Sequence, residues 1–193
     1  YSECWSVGLL QCSLHRLKEW VAVQSDSGDH TKWGEVERIL NMTAVRIQEM
    51  GGTVEFADVG THQVVYHISC PVGKLLYIYG HVDVQPAKMA DGWTTDPFNL
   101  TKIKGNLYGR GATDNKGPVL AWLHAVESYQ EIPVNIKLII EGLEEVGSHG
   151  LLELTRKRND SFFADVDFIV IFDNVWATRT PALTYGNRGS RCM

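Results

Sequence analysis

The four cysteines of this sequence (Cys4, Cys12, Cys70 and Cys192) form no Cys-x-x-Cys pair, so neither a zinc ribbon nor a thioredoxin-type redox site is indicated. Long apolar runs are missing as well. The longest, such as residues 168–172, fall far short of the ~20 residues that a membrane-spanning helix needs, so no membrane partner is expected. Basic residues are in the minority: 18 Lys and Arg stand against 23 Asp and Glu, and the formal charge of −5 argues against a phosphate-tracking surface and hence against a nucleic-acid partner. No internal repeat, low-complexity tract or Ser/Gly-rich linker divides the 193 residues, of which 44% are hydrophobic, so one globular unit with a real core is expected. Two familiar catalytic frames are absent too. Gly109-Arg110-Gly111 continues as Ala112-Thr113-Asp114 and satisfies neither phosphate-loop pattern, and Gly189-Ser190 lacks the frame of a serine nucleophile.

What is present is an alternation of helical and extended patterns. Leu10, Leu14, Leu17 and Val21 give residues 9–24 one apolar side, and a second helical stretch over residues 35–50 stops at Gly51-Gly52. Residues 53–59 and 63–68 read as strands by their β-branched content, with Gly60 and the Cys70-Pro71 step as breakers. Three continuous apolar runs follow, at residues 75–79, 136–140 and 168–172, each of the kind expected for a strand buried on both faces. Helices are expected between them, over residues 117–129 with Pro118 in the first turn and Asp114 or Asn115 near the cap, and around residues 151–157. This order predicts an α/β fold, a mainly parallel mixed sheet flanked by helices.

The candidate chemistry sits where those runs end. The first ends in Gly80-His81-Val82-Asp83, the second in Glu141-Gly142-Leu143-Glu144-Glu145 and the third in Asp173-Asn174. In open α/β sheets the functional crevice lies beyond the carboxyl ends of the strands, so His81, Glu144, Glu145 and Asp173 should converge there. Alternate residues of an extended chain share a face, which lets Asp83 orient the His81 imidazole from behind while His81 takes a metal. Each residue alone has an ordinary explanation: a polar strand end, a charge near a helix N-terminus, a helix cap for Asp114, a turn residue for Asp173. Those explanations do not predict that all of them gather at one sheet edge.

Three blocks carry a resemblance: Tyr79-Gly80-His81-Val82-Asp83-Val84-Gln85-Pro86-Ala87, the stretch from Leu107 to Pro118 containing Gly109-Arg110-Gly111-Ala112-Thr113-Asp114-Asn115-Lys116-Gly117, and Glu141-Gly142-Leu143-Glu144-Glu145. Together with Ser161 to Asn174 and Tyr185 to Gly189, they resemble the di-zinc metallopeptidases of the carnosinase type, with aminoacylases and glutamate carboxypeptidases similar at greater distance. The resemblance implies hydrolysis of dipeptides by a water activated between two zinc ions, with manganese as an alternative metal. It makes His81 and Asp173 ligands of one metal, Asp114 the bridge, Glu145 a ligand of the second metal, Glu144 the general base and Asp83 the residue that orients a ligand. It also implies a cis peptide at Asp114-Asn115, a homodimer, and a last histidine ligand located after a lid domain and downstream of Met193. Residues 1–193 are then expected to be the first part of a catalytic domain, without the lid and the second half. The chain starts at Tyr1 with no clean signal peptide, so its true N-terminus is expected upstream. Two rival readings are a shortened, non-catalytic product that keeps one metal site and an amidohydrolase of N-acyl amino acids. Sequons at Asn41, Asn99 and Asn159, with the nearest branch of the resemblance, favour secretion over a cytoplasmic location.

Overall fold

The computed structural model describes residues 2–58, 62–68, 73–129, 131–173, 178 and 180–184, with side chains from residue 11 onward except at 58–72. The Cys70-Pro71 step, Asn174 and the 185–189 block lie outside the described residues.

Helix α1 (Ser2–Val21) is followed by α2 (Trp33–Glu49), whose buried Val36, Ile39, Leu40, Thr43, Ala44 and Ile47 recur at the spacing that keeps one helical face inward. Its end follows from Gly51, which adopts φ +82° while the amides of Gly51 and Gly52 donate to the carbonyls of Gln48 and Ile47 (both 2.9 Å). The strands β1 (Thr53–Asp58) and β2 (His62–Ile68) form an antiparallel pair, and β2 also runs antiparallel to β6 (Asn135–Glu141). On its other edge β6 runs parallel to β3 (Leu75–His81), which in turn runs parallel to β7 (Phe168–Ile171), giving the order β1-β2-β6-β3-β7. The parallel half demands crossovers, and these are α3 (Lys116–Ser128) and α4 (Leu151–Lys157). A small antiparallel ribbon, β4 (Thr101–Ile103) with β5 (Asn106–Tyr108), precedes α3. The architecture is therefore the expected mixed α/β sheet flanked by helices.

Alternation along the central strands sends side chains to two cores. Ile78 with Ile136, Leu138 and Ile140 packs against α2 and α3 through Ile39, Leu40, Ile47, Leu120 and Leu123, together with Trp20 of α1. On the opposite face Tyr77 and Ile139 pack with Leu154 of α4, flanked by Phe162 and Phe163. Gly80 shows how tightly α3 sits on β3, since a Cβ there would lie 2.7 Å from Val119 Cγ2. At the outer ends of the first core, Glu127 of α3 accepts from Arg16 of α1 (2.8 Å) and pairs with Arg46 of α2, so three helices share one ion cluster.

Two expectations need correction. Helix α1 begins at Ser2 and ends at Val21, earlier at both ends than the apolar spacing of residues 9–24 implies. More consequentially, β7 is not buried on both faces: Phe168, Ile169 and Ile171 are 59%, 66% and 63% exposed. An apolar run specifies a strand, but its burial depends on neighbours. Only β3 pairs with β7 among the described residues.

Candidate metal centre

The parallel strands β3 and β6 end side by side, with His81 in register with Glu141. His81 and Asp83 are completely buried, whereas Glu144 and Asp173 are partly open and the Asp114 side chain is 58% exposed. Asp83 fastens this edge. One of its carboxylate oxygens, Oδ1, accepts the Glu144 amide (3.2 Å), while Oδ2 accepts the Glu145 amide (3.1 Å) and the Ser27 hydroxyl (2.7 Å). The Nδ1 of His81 faces both the Asp83 carbonyl and Asp83 Oδ1, each at 3.2 Å. Both contacts come from Asp83; they orient the ring and leave Nε2 to face the other carboxylates.

Among the described residues, three carboxylates lie beyond Nε2. Asp114 Oδ1 is 3.1 Å away, Asp173 Oδ1 3.6 Å and Glu144 Oε2 3.7 Å, yet buried Nε2 makes no hydrogen bond of good geometry. One ligand atom from each of His81, Asp114 and Asp173 falls within 4.8 Å of the others, the clustering a bound cation requires. Glu145 sits beside this group rather than in it. Its Oε2 accepts from Gln85 Nε2 (3.0 Å), and its Oε1 is buried without a partner among the described residues. A buried orphan oxygen and an orphan imidazole nitrogen amid five carboxylates are poorly satisfied by protein alone; divalent cations with His and carboxylate ligands fit them.

The carboxylates concentrate negative charge here, which favours a cation at this point, either a proton on His81 or a metal ion in its place. Burial disfavours the charged imidazolium, but Asp173 and Asp83 outweigh it and hold the His81 pKa up at about 11. His81 in turn keeps Asp173 below the usual carboxylate range, against the opposing effect of burial. Burial pushes Glu144 up, with the nearby charges of Asp173, Glu145 and Asp83 adding to it and His81 opposing it. Glu145 is raised chiefly by burial too, with Gln85 opposing and Asp114 reinforcing.

Asp114 reaches the site because it does not serve as a helix cap. The N-cap of α3 is Asn115, without a capping hydrogen bond, and the Asp114-Asn115 peptide is cis. The turn is so tight that a Cβ at Gly117 would lie 2.0 Å from the Ala112 carbonyl oxygen. Lys116 is wholly buried, and its ammonium donates to the carbonyls of Trp20 (3.1 Å) and Val23 (2.7 Å). Burial lowers its pKa to about 7, although Asp83 and Glu35 oppose the shift.

The segment after α1 supports the edge and was not singled out by sequence. Ser25 donates its hydroxyl to the Val82 carbonyl (2.7 Å) and accepts the Val84 amide at its own carbonyl (2.9 Å), while Ser27 holds Asp83. Its only sequence signal is polarity, in Gln24-Ser25-Asp26-Ser27-Gly28, which also describes an ordinary surface loop.

The sequence profile of the peptidase family M20/M25/M40 matches residues 77–184, more than half of the chain. The chain belongs to this family of metal-dependent peptidases. Within the family it is 47% identical to the Beta-Ala-His dipeptidase of Homo sapiens over 194 residues, covering 90% of this chain and 38% of the human protein. It is 39% identical to the Cys-Gly metallodipeptidase dug1 of Schizosaccharomyces pombe, covering 90% of this chain and 40% of that one. The crystal structure of human carnosine dipeptidase 1 superimposes with a TM-score of 0.83 at 46% identity, over 86% of this chain and 39% of the human chain. The di-peptidase Dug1p from Saccharomyces cerevisiae gives a TM-score of 0.88 at 34% identity, over 93% and 42% of the two chains. This M20-family chain thus spans about two fifths of the length of these relatives.

Proposed function

We propose that the protein carrying this site is a zinc-dependent dipeptidase. The observation that carries the reading is the buried His81 Nε2, without a hydrogen-bond partner of good geometry among the described residues, with the Asp114, Asp173 and Glu144 carboxylates within 3.7 Å. His81 and Asp173 would hold one ion, Asp114 would be shared, and Glu145, with its free Oε1, would contribute to a second. Zinc suits this nitrogen-and-carboxylate set, and manganese is the alternative. Bound ions of this kind polarise a scissile carbonyl and lower the pKa of water.

The chain's own residues supply the rest. Glu144 stands at the open side of the site, and burial raises its proton affinity towards the value a general base needs near neutral pH. It would accept a proton from the attacking water at its carboxylate and deliver it to the departing amine. Asp83 would orient His81 and, through two backbone amides, Glu144 and Glu145. Dipeptides are the substrate class because the relatives of known activity are Beta-Ala-His and Cys-Gly dipeptidases. On the resemblance alone, the reading extends to a homodimer and to a catalytic domain longer than these residues. Exposed Asn41, Asn99 and Asn159 support a secreted location.

The test is metal dependence of turnover. For the full-length protein, chelation followed by dialysis is expected to abolish hydrolysis of β-alanyl-histidine and cysteinyl-glycine, and added zinc or manganese to restore it. Failure of the zinc-loaded protein to cleave either dipeptide would contradict the reading.

A further inference from the structure

Glu141 is a buried carboxylate for which the proposed chemistry has no use. It is the last residue of β6, has no exposed surface, and stands in register with His81. One oxygen, Oε1, accepts two hydroxyls: that of Tyr79 on β3 and that of Ser148 (2.8 Å). The other, Oε2, is buried with no partner among the described residues. A buried carboxylate with an orphan oxygen is costly, and an apolar side chain would avoid the cost. What it provides is a fixed point for two strands and a loop.

That loop carries Glu144 and Glu145. It leaves β6 at Glu141, passes through a 3-10 turn at Glu144–Val146, and reaches Ser148, where φ is +51°, the left-handed region that non-glycine residues seldom occupy. In that conformation Ser148 donates its amide to the Leu143 carbonyl (2.8 Å) and its hydroxyl to Glu141. Glu141 thereby ties the end of the loop to its beginning, while the Val82 amide donates to the Glu141 carbonyl (3.0 Å) and Asp83 holds the middle through the amides of Glu144 and Glu145. We infer that Tyr79, Glu141 and Ser148 form a clamp that positions the Glu144–Glu145 turn against His81. They are positioning residues and touch no substrate. The clamp is a property of the loop; only its kinetic consequence rests on the proposed role of Glu144.

Three variants of the full-length protein test it. Ser148→Gly removes the hydroxyl and tolerates the left-handed backbone, Ser148→Asn restores a donor and also tolerates it, and Tyr79→Phe removes the other hydroxyl. Amide hydrogen exchange is read at the loop, at β6 and at α2. In Ser148→Gly and in Tyr79→Phe the exchange of the Glu144 and Glu145 amides is expected to rise about two- to tenfold, the loss of one hydrogen bond, with β6 and α2 unchanged. In the same variants kcat for a dipeptide is expected to fall about 10- to 100-fold with KM held within about twofold, and Ser148→Asn to recover most of both. Loop exchange identical to wild type in both variants would overturn the clamp. So would a rise shared equally by β6 and α2, which marks general destabilisation. If loop exchange rises as expected while even the wild-type protein cleaves no dipeptide, the clamp stands and the dipeptidase reading fails.

Discussion

Glu144→Gln removes turnover and keeps the metal: kcat is expected to fall by about 10²- to 10⁴-fold, the range for loss of a general base, with zinc content unchanged. Glutamine fills the same volume and retains the backbone amide that Asp83 holds, so the turn survives. What it lacks is a carboxylate that can take up a proton. The Glu144 carboxylate lies 3.7 Å from His81 Nε2, about as far as Asp173 at 3.6 Å, but it is not part of the group of ligand atoms within 4.8 Å of one another that His81, Asp114 and Asp173 form. Because the mutation leaves the groups that hold the ions untouched, KM should change little. Steady-state kinetics with metal analysis on the same sample checks it. A kcat within threefold of wild type would remove Glu144 from the base role, and loss of zinc together with activity would make it a ligand instead.

Asp83 and Asp114 are expected to fail in opposite ways. Asp83→Ala leaves the Ser27 hydroxyl and the Glu144 and Glu145 amides without their acceptor in a fully buried position, and releases the His81 ring. The expected cost is about 3 kcal/mol, or a fall in Tm of about 6–12 °C for a chain of this size, with zinc affinity reduced about 10- to 100-fold. Asp114→Asn presents a different case, since its side chain is 58% exposed and its carboxylate faces others across the site. It should abolish tight metal binding while leaving the Tm of the metal-free protein within about 2 °C of wild type, because an exposed side chain carries little of the fold's stability. Melting curves with and without zinc separate the two. Equal destabilisation of the metal-free protein by both substitutions would contradict the division between a residue that holds the edge and one that holds the ion.

The sheet edge was legible because strand ends and chemistry coincide in the sequence. The apolar runs of β3 and β6 stop at His81 and at Glu141, and a parallel sheet places such ends together. The period of α2 and its Gly51-Gly52 stop were equally readable, since both are local. The exposure of β7 was not, because Phe168 to Ile171 would read the same with either edge covered. Asp114 was ambiguous for a different reason: a helix cap and a metal ligand use the same residue type, and only the turn from Ala112 to Gly117 separates them. The supports lay furthest from reach. Ser25 and Ser27 act across more than 50 residues on Val82 and Asp83, and Glu141 with Ser148 becomes informative only once its burial is known. Polar residues in loops reveal their partners through tertiary structure, whereas apolar residues reveal theirs through period.

The central claim is that these residues build one nearly complete metal position, from His81, Asp114 and Asp173, and a second with only Asp114 and Glu145. Metal analysis of the 193-residue chain, loaded with zinc and dialysed, tests this most directly. One zinc per chain is expected, lost in His81→Ala. No retained zinc, two equally tight zincs, or one zinc indifferent to His81→Ala would contradict it.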